Sequence, residues 1–142
     1  MKKFVDIIVL NGDNNILLLK RCDNCSYMPG KYCLPGGHVE EESTLLENAC
    51  RELEEETGIK QNYLMKLENH TYEDGNCTTI FITFTDLFGD PFPQVFITHN
   101  EHKEYKWVKL DNLFIKNVIK PEEMMPELYD IIYKSIYRKD ED

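Results

Sequence analysis

No stretch of this chain approaches the roughly 20 consecutive apolar residues of a membrane-spanning helix. The first residues read Met1-Lys2-Lys3, and the apolar run that follows is broken at Asp6, too short and interrupted for a secretory signal. Basic residues are scarce, 16 Lys and Arg against 26 Asp and Glu, for a net charge of -10. Gripping a nucleic-acid backbone or an anionic bilayer needs clustered cations, so neither is an expected partner. Cysteines number only five, an odd count with no signal before it. Reduced thiols and a cytoplasmic location are therefore expected. Cys22-x-x-Cys25 has no second pair to complete a zinc site, which leaves it an ordinary cysteine-containing loop. Repeats, low-complexity tracts and linkers are absent as well.

What remains is a globular composition, 42% hydrophobic and 30% charged, over 142 residues. That is the size of one domain, expected to span residues 1–142. Strands are expected at 4–10 and 16–20 around the turn residues Asn11 to Asn15, and at 32–34, 63–72, 78–88, 94–98 and 104–108. A helix is expected over 44–57. Thr44 and Glu47 form a capping box, Gly58 sits at the stop position, and Leu45, Ala49 and Leu53 make the buried stripe. A last helix should open at Pro121 with Leu128, Ile131, Ile132 and Ile136 on its apolar face. The predicted class is α+β, a mixed sheet sandwiched between helices.

The acid is concentrated. Eight glutamates and one basic residue, Arg51, lie between Glu40 and Glu56. At about 100° per residue, Glu52, Glu55 and Glu56 share one sector of the helix, turned away from Ala49 and Leu53. Carboxylates so grouped are either a solvated face or hard oxygen ligands for Mg²⁺ or Mn²⁺. Gly36 and Gly37 lie just upstream, where glycines let backbone carbonyls approach a metal or phosphate.

The segment Gly37-x5-Ser43-x7-Arg51-Glu52-Leu53-Glu54-Glu55-Glu56-Thr57-Gly58-Ile59 resembles the Nudix hydrolase signature, G-x5-E-x7-R-E-U-x-E-E-x-G-U with U aliphatic. The approach Leu34-Pro35-Gly36-Gly37-His38-Val39-Glu40 is similar to the family's too. The resemblance implies a Nudix fold and a pyrophosphohydrolase that splits a diphosphate linkage in a nucleoside diphosphate derivative, a nucleoside triphosphate or a nucleotide sugar. It implies Mg²⁺ as cofactor, with Mn²⁺ as substitute, and a small nucleotide as partner. Glu55 and Glu56 become the main metal ligands and Glu52 a ligand or base-side partner, with Glu52 or Glu55 accepting the proton of the attacking water. Arg51 holds those carboxylates in place, and a carbonyl of Gly36 or Gly37 completes the metal site. A further glutamate is expected from a later strand, Glu104 first and Glu101 second.

Ser43 stands where the family has its first glutamate. Glu42 could reach the same place from one residue earlier, the position could be a supporting one, or the site could have decayed into a non-catalytic nucleotide sensor. The intact Arg51, Glu52, Glu55 and Glu56 favour an enzyme. His99-Asn100-Glu101-His102 does not match the H-E-x-x-H metal helix and reads as ordinary loop. Oligomeric state is left open between monomer and homodimer.

Overall fold

The structure is a computed structural model; it describes residues 1–90, 92–98 and 100–137. The first strand, β1 (Lys3–Leu10), is an almost unbroken apolar run. Such runs belong to strands covered on both faces. β1 pairs in parallel with β6 (Cys77–Phe84) and antiparallel with β4 (Gly36–His38), and meets β2 (Asn15–Arg21) at Leu10 and Ile16. The turn between β1 and β2 is tied by Asn11, whose Oδ1 accepts from the amides of Asp13 and Asn15, each at 3.0 Å. That is the asparagine turn chemistry expected from sequence. β2 also pairs with β3 (Tyr32–Cys33) and β7 (His102–Lys109), and β5 (Met65–Thr71) pairs with β6. The result is one mixed seven-stranded sheet.

Alternation along the strands assigns each helix a face. Val5, Ile7, Val9, Leu17 and Leu19 meet Ala49 and Leu53 of α1 (Leu45–Thr57). Ile8, Leu10, Ile16 and Leu18 meet Leu128, Ile131 and Ile132 of α3 (Leu128–Tyr137). Leu53 is fully buried, and truncating such a side chain typically costs about 2–5 kcal/mol. The helix carrying the acidic motif is therefore clamped to the centre of the sheet. Its ends are also fixed. Thr44 and Glu47 close the capping box, and Gly58, at φ 78°, donates its amide to the Glu54 carbonyl.

Four sequence expectations need correction. Residues 94–98 are extended but form no strand: the Phe96 amide donates instead to the Thr57 carbonyl, 2.9 Å away, so the segment follows the end of α1 rather than a sheet edge. The strand expected over 78–88 stops at Phe84, where a 3-10 turn over Thr85–Phe88 ends on Gly89 at φ 86°. Pro121 opens only a short 3-10 turn, and α3 begins after Pro126, which has no amide to donate and restrains Met125 before it. The short helix α2 (Leu110–Phe114) was not expected.

Candidate metal and active site

Two glycines carry the helix glutamates. The Gly36 amide donates to Glu56 Oε1 at 2.9 Å. A Cβ on Gly36 would lie 2.2 Å from the Val5 carbonyl oxygen, so β4 sits against β1 only because this residue has no side chain. On Gly37 a Cβ would lie 2.1 Å from Glu52 Oε2, so Glu52 occupies the space that glycine leaves. Glu56 is buried, at 8% exposure, Glu52 half-buried, and Glu55 exposed. Burial, with Glu52 and Glu101 nearby, pushes the Glu56 carboxyl up to about 9 against the pull of the Gly36 amide. Burial and then Glu55 raise Glu52 to about 7, with Arg51 pulling the other way. Carboxyls held this high are short of positive charge, and a divalent ion would supply it.

The third contributor comes from the start of β7. One donor atom each from Glu56, Glu101 and His102 lie within 4.8 Å of one another, and this is the group of three such residues among those described. Glu101 was the second choice from sequence; the first, Glu104, is not brought to the helix. Glu104 pairs with Lys20, whose ammonium lies 5.1 Å from the Tyr32 ring on the α3 side of the sheet. Directly paired residues share a face, so Glu104 faces away from α1. A register shift lies between Lys20 and Arg21. It lets His102, paired with Arg21, point to the α1 side although it is only two residues from Glu104.

His102 was missed as ordinary loop. It is 2% exposed and lies in β7; His99 falls outside the described residues. Its Nε2 is 3.6 Å from Cys33 Sγ, and its Nδ1 is buried with no hydrogen-bond partner among the described residues. Burial holds its pKa below the ordinary value, so the ring is neutral at pH 7. The clue in the sequence was its place beside an acid before an apolar-alternating strand, which periodicity alone did not weigh. The Glu101 carbonyl is held in turn by the Cys22 amide at 2.9 Å and the Cys25 thiol at 3.4 Å.

Arg51 lies near enough to Glu52 to favour its charged form, and it has further partners. Its guanidinium donates to Asn48 Oδ1 at 2.8 Å and pairs with Glu40 at 3.5 Å, rather than with Glu55 or Glu56. Asn48, fully buried, accepts from the Glu40 amide and donates to the carbonyls of Glu40, Ser43 and Thr44. Arg51 and Asn48 together fasten the loop that leads into α1. Ser43 is held in that loop by its backbone, and Glu42 is exposed and outside the group of three. The oxygen-rich, partly buried set of Glu56, Glu101 and the neighbouring Glu52 fits a divalent cation.

The family model for the NUDIX domain matches residues 2–130. The chain is 29% identical to an RNA pyrophosphohydrolase of Pelagibacter ubique over 130 residues, 80% of this chain and 79% of that protein. It is 42% identical over 55 residues to an m7GpppN-mRNA hydrolase of Homo sapiens; that match takes in 39% of this chain and only 17% of the human protein. Among solved structures, a MutT protein of Methanosarcina mazei superposes with a TM-score of 0.70 at 26% identity, covering 94% of this chain and 91% of that one. With the motif placed on α1, the glycines beneath it and a family match over most of its length, the chain belongs to the Nudix hydrolase family.

Proposed function

We propose that residues 1–142 act as a single Nudix domain that hydrolyses the diphosphate linkage of a nucleoside triphosphate or nucleotide sugar, with Mg²⁺ as its ion and Mn²⁺ as substitute. The convergence of Glu101 with Glu56, which is held by the Gly36 amide of β4, carries this reading. Glu56 and Glu101 hold the ion, and Glu55, exposed on the same helix, supplies a further carboxylate toward solvent and substrate. The ion neutralises the diphosphate and makes water a better nucleophile. Glu52 then accepts the proton of the attacking water. Its half-buried carboxyl, next to Glu55 and Glu56 on the same helix, is placed to do so. Arg51 contributes by fixing the loop and not by touching phosphate.

The net charge of -10 favours a free nucleotide over a polynucleotide. Five free thiols accord with a reducing compartment, and the cytoplasm is the expected site of action. Among the described residues no helix is long and apolar enough to cross a membrane. The test is phosphate and pyrophosphate release from a panel of nucleoside triphosphates, nucleotide sugars and triphosphate-ended RNA, with Mg²⁺, Mn²⁺ or chelator, beside Glu56→Gln. Turnover that needs both metal and Glu56 supports the enzyme. Metal-dependent nucleotide binding without turnover supports the sensor reading, with Ser43 as its cause.

A further inference from the structure

We propose that His102 supplies an imidazole nitrogen to the ion held by Glu56 and Glu101, making this a mixed oxygen–nitrogen centre rather than an all-oxygen one. The inference rests on the reading of these carboxylates as a metal site, and it adds a ligand of a different chemical kind.

Three observations carry it. First, a His102 ring nitrogen lies within 4.8 Å of donor oxygens of both Glu56 and Glu101, a spacing that one ion can bridge. Second, the ring is 2% exposed and its Nδ1 has no partner among the described residues. A histidine kept only for packing would satisfy both nitrogens with backbone or side-chain groups, because a buried polar atom without a partner is costly. Third, the single contact on the other nitrogen is the Cys33 thiol, 3.6 Å from Nε2. Neutral imidazole has one N–H and one lone pair. The thiol contact fixes the ring's orientation, and the buried Nδ1 is left without a partner among the described residues.

The donor set has a consequence for the choice of ion. Mg²⁺ takes oxygen ligands and sheds water reluctantly, whereas imidazole suits Mn²⁺ and the later divalent transition ions. At equal concentration the nucleotide-free site should therefore bind Mn²⁺ more tightly than Mg²⁺, whichever ion serves the reaction. Loss of the nitrogen should weaken Mn²⁺ binding by about tenfold or more, and Mg²⁺ binding by less than about twofold.

The experiment is pulsed electron paramagnetic resonance on the full chain loaded with Mn²⁺ alone, without nucleotide, joined to calorimetric titration with each ion. The expected result is nitrogen modulation on the bound Mn²⁺ that is absent in His102→Gln and kept in His38→Gln. If His102→Gln does not fold, wild-type protein labelled with ¹⁵N-histidine replaces it, and the modulation must change isotope pattern. Bound Mn²⁺ with no nitrogen modulation, or modulation that survives in His102→Gln, overturns the proposal and leaves the carboxylate site standing. A chain that binds no Mn²⁺ overturns both.

Discussion

Replacing Gly37 with alanine moves one carboxylate while sparing the core. The added Cβ would lie 2.1 Å from Glu52 Oε2 and 2.6 Å from its Cδ. A carbon–oxygen contact relaxes at roughly 3.3 Å, so the carboxylate must retreat by about 1 Å. Glu52 can do this by leaving its preferred rotamer, at a cost of about 1 kcal/mol to the fold. A group that must meet a reacting water does not tolerate such a shift, and about 1 Å of misplacement lowers a rate by roughly a hundredfold. Gly36→Ala is the contrast. Its Cβ would meet the Val5 carbonyl at 2.2 Å, backbone of the central strand that cannot yield. That variant should lose about 3 kcal/mol of stability. The assay is kcat/KM by pyrophosphate release beside thermal denaturation for both proteins. Gly37→Ala should keep its Tm within a few degrees and lose activity; wild-type kcat/KM, or a Tm collapse equal to that of Gly36→Ala, refutes the role given to Glu52.

Glu56 links pH to stability. Its carboxyl titrates at about 9 when folded against an ordinary 4.5, so between those values the folded state binds more protons and stability falls as pH rises. The Tm of chelator-treated protein should drop by at least about 5 °C from pH 5.5 to 8.5 and recover with Mn²⁺; a flat profile contradicts the burial argument. Glu56→Gln should be more stable than wild type in chelator at pH 8 by about 1–2 kcal/mol, yet gain nothing from metal, as thermal melts with and without Mn²⁺ would show. Asn48→Ala strips the loop of its buried amide and should cost about 2–4 kcal/mol in urea denaturation, with Arg51 left unpaired from it. Glu101→Gln should lower kcat by about a hundredfold, while Glu104→Gln, on the far face, should stay within about twofold in the same assay.

Local chemistry was readable from the chain, and register was not. The capping box at Thr44 and Glu47, the stop at Gly58 and the asparagine turn at Asn11 depend on neighbours a few residues apart, and each forms as its residue types dictate. Glu52, Glu55 and Glu56 were read as one face turned from Ala49 and Leu53, but Glu56 is buried, because two turns after Ala49 it lies almost directly over it. The choice between Glu101 and Glu104 depended on a register shift opposite β2, which no local pattern announces. A one-residue offset exchanges the faces of every later side chain. Here it turned His102 toward α1, while Glu104, in regular register with Lys20, stays on the other face. The further partners of Arg51, Asn48 and Glu40, were not foreseen, because their convergence requires the loop to fold back on the helix. The late start of α3 was within reach, since Pro126 stands in the expected helix; the apolar spacing outweighed it.

The Gly36 amide that holds Glu56 belongs to a strand laid against β1, which is itself paired on both sides. Glu101 lies instead in the exposed turn that leads into β7, whose strand neighbour among the described residues is β2. The centre is thus a vice with one fixed jaw and one adjustable jaw. Ions of different radius should be accommodated at the exposed Glu101, since the buried Glu56 carboxylate is tied to the Gly36 amide. In hydrogen exchange, the amides of β1 should open only with the whole molecule, while those of β7 follow smaller, local openings that tighten when the jaws close on an ion.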